Sequence, residues 1–259
     1  FMAVKLYKPT SPGRRIQSVT DYSVLSKNHK TPKGLISSKA KPGGRNNSGK
    51  ITVRHQGGGA IRKSRIVDFS RSDKKDIPAT VLTIEYDPTR TAFISLVSYK
   101  DGSKRFILTP QDLKVGDKIT YGEAADILPG NRWMIKKIPV GSLINDIELI
   151  PGQGGKVARS AGNYALLQTV EAGYALLKMP SGEIRKIRET CLASIGQLAN
   201  SDWMNVRFGT AGRMRHTGWR PTVPGKVMHP VDYPHCGGEG HTPLGTHVQK
   251  TRCGETALG

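Results

Sequence analysis

This sequence is poor in the features that membrane and secreted proteins need. Its 259 residues include only three cysteines, which are too few and too scattered for a disulfide framework: Cys191, Cys236 and Cys253. It has no apolar run of the roughly 18 residues that a membrane span requires, and its N-terminal region lacks the apolar stretch of a secretory signal. We therefore expect a protein of a reducing compartment.

Acidic residues are also scarce, and they are unevenly distributed. The chain has 40 Lys and Arg against 20 Asp and Glu, a formal net charge of +20. Residues 1–75 hold 18 basic and three acidic residues, residues 76–200 hold 15 and 13, and residues 201–259 hold seven and four. The N-terminal segment is a polycation, and it needs a polyanionic partner because it cannot pack on itself without counter-charges. Nucleic acid is the leading candidate.

Residues 1–50 are predicted to form an extended basic arm. Prolines and glycines interrupt every possible element in this stretch, and lysines and arginines fill the gaps. Such a composition cannot bury enough apolar surface to offset the loss of chain entropy on folding. We expect the arm to become ordered on RNA; a disordered tail is the alternative.

Residues 51–125 are predicted to form a small closed barrel of the OB type. β-Branched and aromatic residues favour short strands at 51–53, 65–69, 79–86, 92–99, 105–108 and from 116. The segment Lys100–Ser103 contains Asp-Gly, which tolerates the positive φ angles of a type I′ hairpin turn. Five or six short strands in about 70 residues are typical of this kind of barrel.

Residues 126–200 are predicted to form a second small barrel. Strands are expected at 164–170, 173–179 and 184–188, and residues 192–198 are compatible with one short helix. The chain has no pair of long amphipathic helices, which excludes doubly wound α/β folds. Residues 201–259 are predicted to be an irregular extension, because glycine and proline recur too often for strands or helices. The predicted fold class is mainly β, with two barrels in tandem flanked by extended segments.

Two glycine-containing segments are candidate phosphate sites. Residues 44–50 match the first seven positions of a G-x-x-x-x-G-K phosphate loop, but Ile51 replaces the hydroxyl residue and no strand–loop–helix context is predicted. We reject that reading. Gly57–Gly59 lies between basic residues, and glycines let the backbone approach a ligand closely while arginines pair with phosphate oxygens. A flexible hairpin tip is the alternative for this segment.

Histidine and cysteine are clustered near the C-terminus, but their spacing does not predict a metal site. No C-x₂₋₄-C pair occurs, and His235 and Cys236 are adjacent in sequence, whereas structural zinc relies on short paired spacings. A hydrolytic triad from Asp232, His235 and Thr242 would need a preorganised nucleophile turn, and none is visible. We expect no metal, no cofactor beyond magnesium associated with RNA, and no enzymatic activity.

The order of several short motifs resembles the family of large ribosomal subunit protein two, of bacterial type. The resemblance covers residues 3 to about 252 and is carried by 8–15 (KPTSPGRR), 44–47 (GRNN), 54–59 (RHQGGG), 65–69 (RIVDF), 85–88 (EYDP), 138–141 (IPVG), 158–162 (ARSAG) and 230–235 (PVDYPH). It implies an OB-fold barrel followed by an SH3-like barrel, with terminal extensions entering large-subunit rRNA. The alternative class is a free-standing OB-fold nucleic-acid enzyme or regulator.

The resemblance also implies a function and a set of partners. The protein would be a structural constituent of the large ribosomal subunit that supports subunit association, tRNA positioning and the peptidyl-transferase region without catalysing the reaction. Its partners would be large-subunit rRNA, neighbouring large-subunit proteins and the small subunit, in a cytoplasmic ribosome of bacterial type or an organelle ribosome. The candidate rRNA-binding residues are Lys8, Arg14, Arg15, Arg45, Asn46, Asn47, Lys50, Arg54, His55, Gly57, Gly58, Gly59, Arg62, Lys63, Arg65, Arg159, Ser160, Arg213, Arg215, Trp219, Arg220, Asp232, Tyr233, His235, Gly237 and Gly238.

The sequence departs from the family pattern at three points. Tyr233 stands where the family usually has the first histidine of a PVDHPHGGGEG stretch, and Cys236 replaces its first glycine. The family usually continues into a strongly basic tail, whereas this sequence stops at residues 255–259 (ETALG). Because a phenol is a far weaker base than an imidazole at neutral pH, we predict that Asp232, Tyr233 and His235 shape and hold rRNA instead of transferring protons.

Overall fold

The computed structural model describes residues 4–27, 29–38, 40–122, 125–236, 247–251 and 253–257. Within these ranges, every helix is too short or too polar to cross a membrane. The chain divides into two units. The barrel unit comprises Phe1–Ala40 and Ile61–Ala211, and the composite unit comprises Lys41–Ala60 and Gly212–Gly259.

Short strands dominate the chain. In sequence order they are β1 (Val4–Leu6), β2 (Ser18–Thr20), β3 (Ile36–Ser38), β4 (Lys63–Arg65), β5 (Ala79–Glu85), β6 (Ile94–Tyr99), β7 (Lys104–Leu108), β8 (Lys118–Ile119), β9 (Arg132–Met134), β10 (Leu143–Asn145), β11 (Ala165–Glu171), β12 (Tyr174–Lys178), β13 (Ile184–Arg188) and β14 (Leu192–Ile195). Two α-helices are present in the described ranges, α1 (Pro12–Arg15) and α2 (Ala211–Thr217), with 3₁₀ turns at Lys33–Leu35, Ser72–Lys74, Ile135–Lys137, Ser201–Asn205 and Gly225–Val227.

The first barrel is built on a four-stranded antiparallel sheet with the order β7-β6-β5-β8. Strand β6 is central, and its alternate side chains enter different apolar clusters. Ile94 and Leu96 pack in a cluster with Phe106, whereas Val97 and Tyr99 pack in another. The predicted strands at 79–86, 92–99 and 105–108 are confirmed to within two residues at each end.

Three other predictions for this region are wrong. Residues 51–53 contribute only an isolated bridge between Ile51 and Arg45, and β4 ends at Arg65, so the predicted strand at 65–69 is reduced to one bridge at Val67. The β6–β7 hairpin is present, but its turn is not type I′. Only Gly102 in this turn has a positive φ, of 80°, and its N–H donates to the Tyr99 carbonyl at 3.0 Å. A type I turn followed by a left-handed glycine needs just one such residue.

The second barrel contains a six-stranded antiparallel sheet with the order β13-β12-β11-β10-β14-β9. The three predicted strands of the meander are confirmed as β11, β12 and β13. The short helix predicted at 192–198 is wrong, because Leu192–Ile195 is the strand β14 between β10 and β9. All four of its residues are buried, so its sequence lacks the apolar–polar alternation that distinguishes a half-exposed strand from a helix.

The N-terminal segment is more structured than its composition suggests. Strand β1 pairs with β2, and α1 lies between them; β3 pairs with β4. The Ser18 amide donates to the Arg207 carbonyl at 3.0 Å, and the Arg207 amide donates to the Ser18 hydroxyl at 2.8 Å. The prediction that glycine and proline would interrupt every element here is therefore wrong, as is the prediction of a helix-free C-terminal segment, since α2 begins at Ala211. Residues distant in sequence, such as Arg207 for Ser18, satisfy the backbone groups that short elements leave unpaired.

Candidate nucleic-acid interface

Two segments that are far apart in sequence run antiparallel in the composite unit. The Gly57 amide donates to the Gly218 carbonyl at 2.9 Å, and the Ala60 amide donates to the His216 carbonyl at 3.0 Å. The Arg220 amide donates to the His55 carbonyl at 2.9 Å. Residues 55–60 and 216–220 thus form a ladder, which joins predicted site residues from both ends of the chain.

The three consecutive glycines in the first segment of this ladder, residues 57–59, have different backbone environments. A Cβ on Gly59 would lie 2.9 Å from the Cα and amide nitrogen of Gly218, so only glycine allows the two backbones to approach. Gly57 and Gly58 have left-handed φ angles of 128° and 69°. The segment is paired along its length, and it is not the hairpin tip that the sequence left as an alternative.

The loop before the ladder is held by a local turn. The Asn46 side-chain oxygen accepts hydrogen bonds from the Ser48 amide at 3.0 Å, the Ser48 hydroxyl at 2.8 Å and the Lys50 amide at 3.0 Å. Asn46 is a predicted rRNA contact, but its side-chain oxygen stabilises the loop. The neighbouring predicted contacts Asn47 and Lys50 are exposed. No helix follows the loop, so the context of a phosphate loop is missing from this part of the described chain.

A cavity of about 280 Å³ opens beside the loop and the ladder. Eight described residues line it, and they include three arginines and one histidine but no carboxylate: Gly43, Arg45, Ile51, Val53, Arg54, His55, Gln56 and Arg220. The surrounding sequence is also basic and free of acidic residues. Residues 22–67 contain no Asp or Glu and 11 Lys and Arg, and residues 212–231 contain no acidic and four basic residues. These segments favour a polyanionic ligand.

The remaining predicted residues of the composite unit lie near α2 and the ladder. Arg215 donates to the Trp219 carbonyl at 3.0 Å, and Trp219 is 48% exposed, which leaves its ring available for stacking. Arg213 is half-buried in α2.

The loop that contains Asp232, Tyr233 and His235 holds protein segments together. The Tyr233 ring packs on Gly225, and its centroid lies 5.5 Å from that of His235 in an edge-on arrangement. The Lys250 amide donates to Nε2 of His235 at 2.8 Å. Gly237 and Gly238, which the sequence also predicts as contacts, lie outside the described residues.

The predicted residues of the barrel unit are mostly on its surface. Lys8, Arg14, Arg15, Lys63 and Ser160 are exposed, whereas Arg62 and Arg65 are half-buried. Arg159 has contacts within the protein instead. It donates to the Gly155 carbonyl at 3.0 Å and stacks on Phe69 at 4.3 Å, so part of its role is to hold the fold.

One basic face is absent from the predicted set. On β12 and β13, Lys178, Lys186 and Arg188 are exposed, and the Lys186 ammonium lies 4.3 Å from the centroid of the Tyr174 ring. The signal that could have revealed it is the basic residues at alternate positions of a predicted strand, which share one face of the sheet.

The absence of a metal remains an expectation. Among the residues with described positions, no group of three or more His, Cys, Asp or Glu side chains could hold a metal ion.

Together, the tandem β barrels and the acid-free basic segments define a class of nucleic-acid-binding protein. Residues 32–121 match the family model for the RNA-binding N-terminal domain of ribosomal proteins L2, and residues 128–254 match the model for the C-terminal domain of the same proteins. The chain belongs to the ribosomal protein L2 family. It is a structural protein of the large ribosomal subunit that binds rRNA, and its two barrels are of the OB and SH3-like types.

Proposed function

We propose that this chain binds large-subunit rRNA mainly through backbone phosphates, using the acid-free segments 22–67 and 212–231. The observation that carries the proposal is the cavity in the composite unit, which Arg45, Arg54 and Arg220 line and whose described lining has no carboxylate. Guanidinium groups pair with phosphate oxygens in a bidentate geometry, and each neutralised phosphate releases counterions. The exposed Lys8, Arg14 and Arg15 extend the same chemistry to the barrel unit.

The protein acts as a scaffold in this proposal. It supports subunit association, tRNA positioning and the peptidyl-transferase region, and it is not the catalyst. Two observations support this role: Tyr233 replaces the family's histidine, and Nε2 of His235 accepts a backbone hydrogen bond from Lys250. While Nε2 accepts this hydrogen bond, its lone pair is directed at the Lys250 amide and not at a substrate proton.

Further partners are proposed on the same basis. They are neighbouring large-subunit proteins and the small subunit across the intersubunit interface, and magnesium enters only as ions associated with rRNA. The ribosome is of bacterial type, in the cytoplasm or in an organelle. A free-standing OB-fold enzyme or regulator is disfavoured by the match to both ribosomal domains.

The salt dependence of rRNA binding tests the proposal. The logarithm of the binding constant should fall with the logarithm of salt concentration, by roughly 0.7–0.9 for each phosphate contact. Replacing Arg45, Lys50 and Arg54 by Gln should reduce that slope by about two or more. The control replaces Lys100, Lys104 and Lys118, which lie on the first barrel, by Gln. Equal slopes for the two triple variants would contradict the proposed surface.

Sedimentation tests the alternative class. The tagged protein should move with large subunits in a sucrose gradient at moderate salt. A protein found only in the ribosome-free top fractions would favour the free-standing enzyme or regulator.

A further inference from the structure

We propose that Arg45, Arg54, His55 and Arg220 form one phosphate-binding cradle for a turn of rRNA backbone, completed only when the two segments of the composite unit are joined. This inference rests on the proposed rRNA-binding function and deepens it. It assigns several contacts to a single cooperative site, and it makes the C-terminal segment a necessary part of a site that is mostly N-terminal in sequence.

The size and chemistry of the cavity favour this ligand. Its volume of about 280 Å³ is close to the lower limit, about 300 Å³, of sites that bind small organic molecules, so a phosphate with part of its nucleotide can enter. Three arginines and one histidine line it, and the described lining has no carboxylate that would repel a phosphate. Arginine matches phosphate geometry better than lysine does, because its planar fork donates two parallel hydrogen bonds.

The walls of the cradle are held by backbone contacts that do not depend on RNA. The amides of Thr52 and Val53 both donate to the Gly44 carbonyl, at 2.9 and 3.0 Å. A Cβ on Gly44 would lie 2.0 Å from the Val53 carbonyl oxygen, so the two sides of the loop are in close contact. A site whose walls are already fixed loses less entropy on binding, which favours affinity.

The third arginine of the cradle, Arg220, is positioned by the ladder. The Arg220 amide donates to the His55 carbonyl, so the two residues that bring the distant segments together also line the cavity. His55 has a left-handed φ of 62°, which is uncommon for a residue other than glycine and occurs preferentially at functional sites. The backbone pairing of the ladder therefore brings Arg220 to the same cavity as Arg45 and Arg54.

An acidic protein segment is the competing ligand class. The rRNA backbone is favoured because residues 22–67 carry 11 Lys and Arg and no acidic residue, more positive charge than a short acidic segment in the cavity could neutralise.

A double-substitution cycle in the full chain tests whether the cradle is one site. Arg54→Gln and Arg220→Gln should each weaken binding to large-subunit rRNA roughly tenfold, as expected for a lost charge-assisted hydrogen bond. If one phosphate needs both groups, the double variant should lose little more than either single variant. Lys118→Gln, which removes an exposed charge on β8, is the matched control and should change binding less than twofold.

The outcomes separate the two proposals. A hundredfold loss in the double variant, the product of the single effects, would mean independent contacts and would overturn the cradle while leaving rRNA binding by this surface intact. No change in any variant would contradict the proposed function itself. Displacement of rRNA by polyglutamate at equal charge concentration, from the wild type but not from the double variant, would overturn the assignment of a phosphate ligand.

A second pair of variants tests the role of the ladder without removing charge. Gly59→Ala places a Cβ against the Gly218 backbone, whereas Gly212→Ala adds a Cβ with no atom within 4 Å. Gly59→Ala should weaken rRNA binding about as much as Arg220→Gln, and Arg220→Gln should have no further effect in the Gly59→Ala background. Gly212→Ala should bind like the wild type. An unchanged effect of Arg220→Gln in the Gly59→Ala background would show that the ladder does not assemble the site.

Discussion

Arg132 donates through Nη1 to the carboxylate of Asp146 at 2.9 Å, and both side chains are buried in the barrel unit. The same guanidinium contacts Glu148 at 3.3 Å and the Ser194 hydroxyl at 3.3 Å. Glu148 in turn accepts hydrogen bonds from three backbone amides. A nearby buried arginine, Arg71, donates to the Gly130 carbonyl at 2.9 Å and so connects the two barrels. The barrel unit of this basic protein thus contains a charge-balanced polar centre.

Removing Arg132 should destabilise the barrel unit strongly. Arg132→Met leaves the carboxylates of Asp146 and Glu148 buried without their ion-pair partner, and breaking a buried pair in this way costs about 3–5 kcal/mol. The control is Lys136→Met, because Lys136 pairs with Glu189 at 3.1 Å on the surface and such pairs contribute about 0–1 kcal/mol. Urea unfolding of both variants provides the comparison. Similar midpoints would contradict a structural role for the buried pair.

Asp68 should make the stability of the barrel unit depend on pH in the acidic range. Burial raises the pKa of Asp68, but the Arg71 amide, the Arg105 guanidinium and the Ser70 amide favour the charged form and bring the pKa below its usual 3.8. A lowered folded-state pKa gives stability that is present above the unfolded value and is lost as the pH falls through the folded value.

Asp68→Asn should therefore lower the free energy of unfolding by about 1–3 kcal/mol at pH 7. The difference from the wild type should narrow once the pH falls below 3.8. Asp112→Asn, at an exposed aspartate, is the control. Urea unfolding midpoints are measured for the wild type and both variants between pH 7 and pH 2. A stability difference between Asp68→Asn and the wild type that stayed constant down to pH 2 would contradict the ionic role of Asp68.

Gly44 and Gly49 form a matched pair for the loop of the composite unit. Their φ angles are 76° and 78°, so Ala is strained at both positions by about 1–2 kcal/mol. Only at Gly44 does the added Cβ also meet the Val53 carbonyl. Gly44→Ala should accelerate hydrogen exchange at the Thr52 and Val53 amides well beyond the effect of Gly49→Ala. Equal exchange in the two variants would show that the close approach is not required.

His235 should stabilise the folded protein and should not take part in peptide-bond formation. His235→Ala removes the acceptor of the Lys250 amide and should speed exchange at that amide, whereas His247→Ala, at an exposed histidine, should leave it unchanged. In assembled ribosomes, His235→Ala and Tyr233→Phe should keep the rate of peptide-bond formation within tenfold. A loss of a hundredfold or more in properly assembled particles would make this loop catalytic.

The sequence was sufficient for the features that depend on local pattern and composition. The strands of the meander, β11 to β13, follow from alternating residues between turns, and the polyanionic partner follows from the charge of the first 75 residues. Alternation reports on one strand at a time, and a large excess of positive charge cannot be buried, although a balanced group such as Arg132 with Asp146 and Glu148 can. The order of the short motifs was sufficient to indicate the family.

Only the tertiary structure decided which distant segments meet. Nothing local in residues 55–60 indicates that they pair with residues 216–220, or that Gly59 is needed because Gly218 lies against it. The strand β14 was predicted as a helix because burial on both faces removes alternation, and Arg132 was unremarkable in sequence although it is buried with two carboxylates. Hydrogen bonds and ion pairs between segments far apart in the chain depend on how the whole chain folds, so a local reading of charge and hydrophobicity cannot assign them.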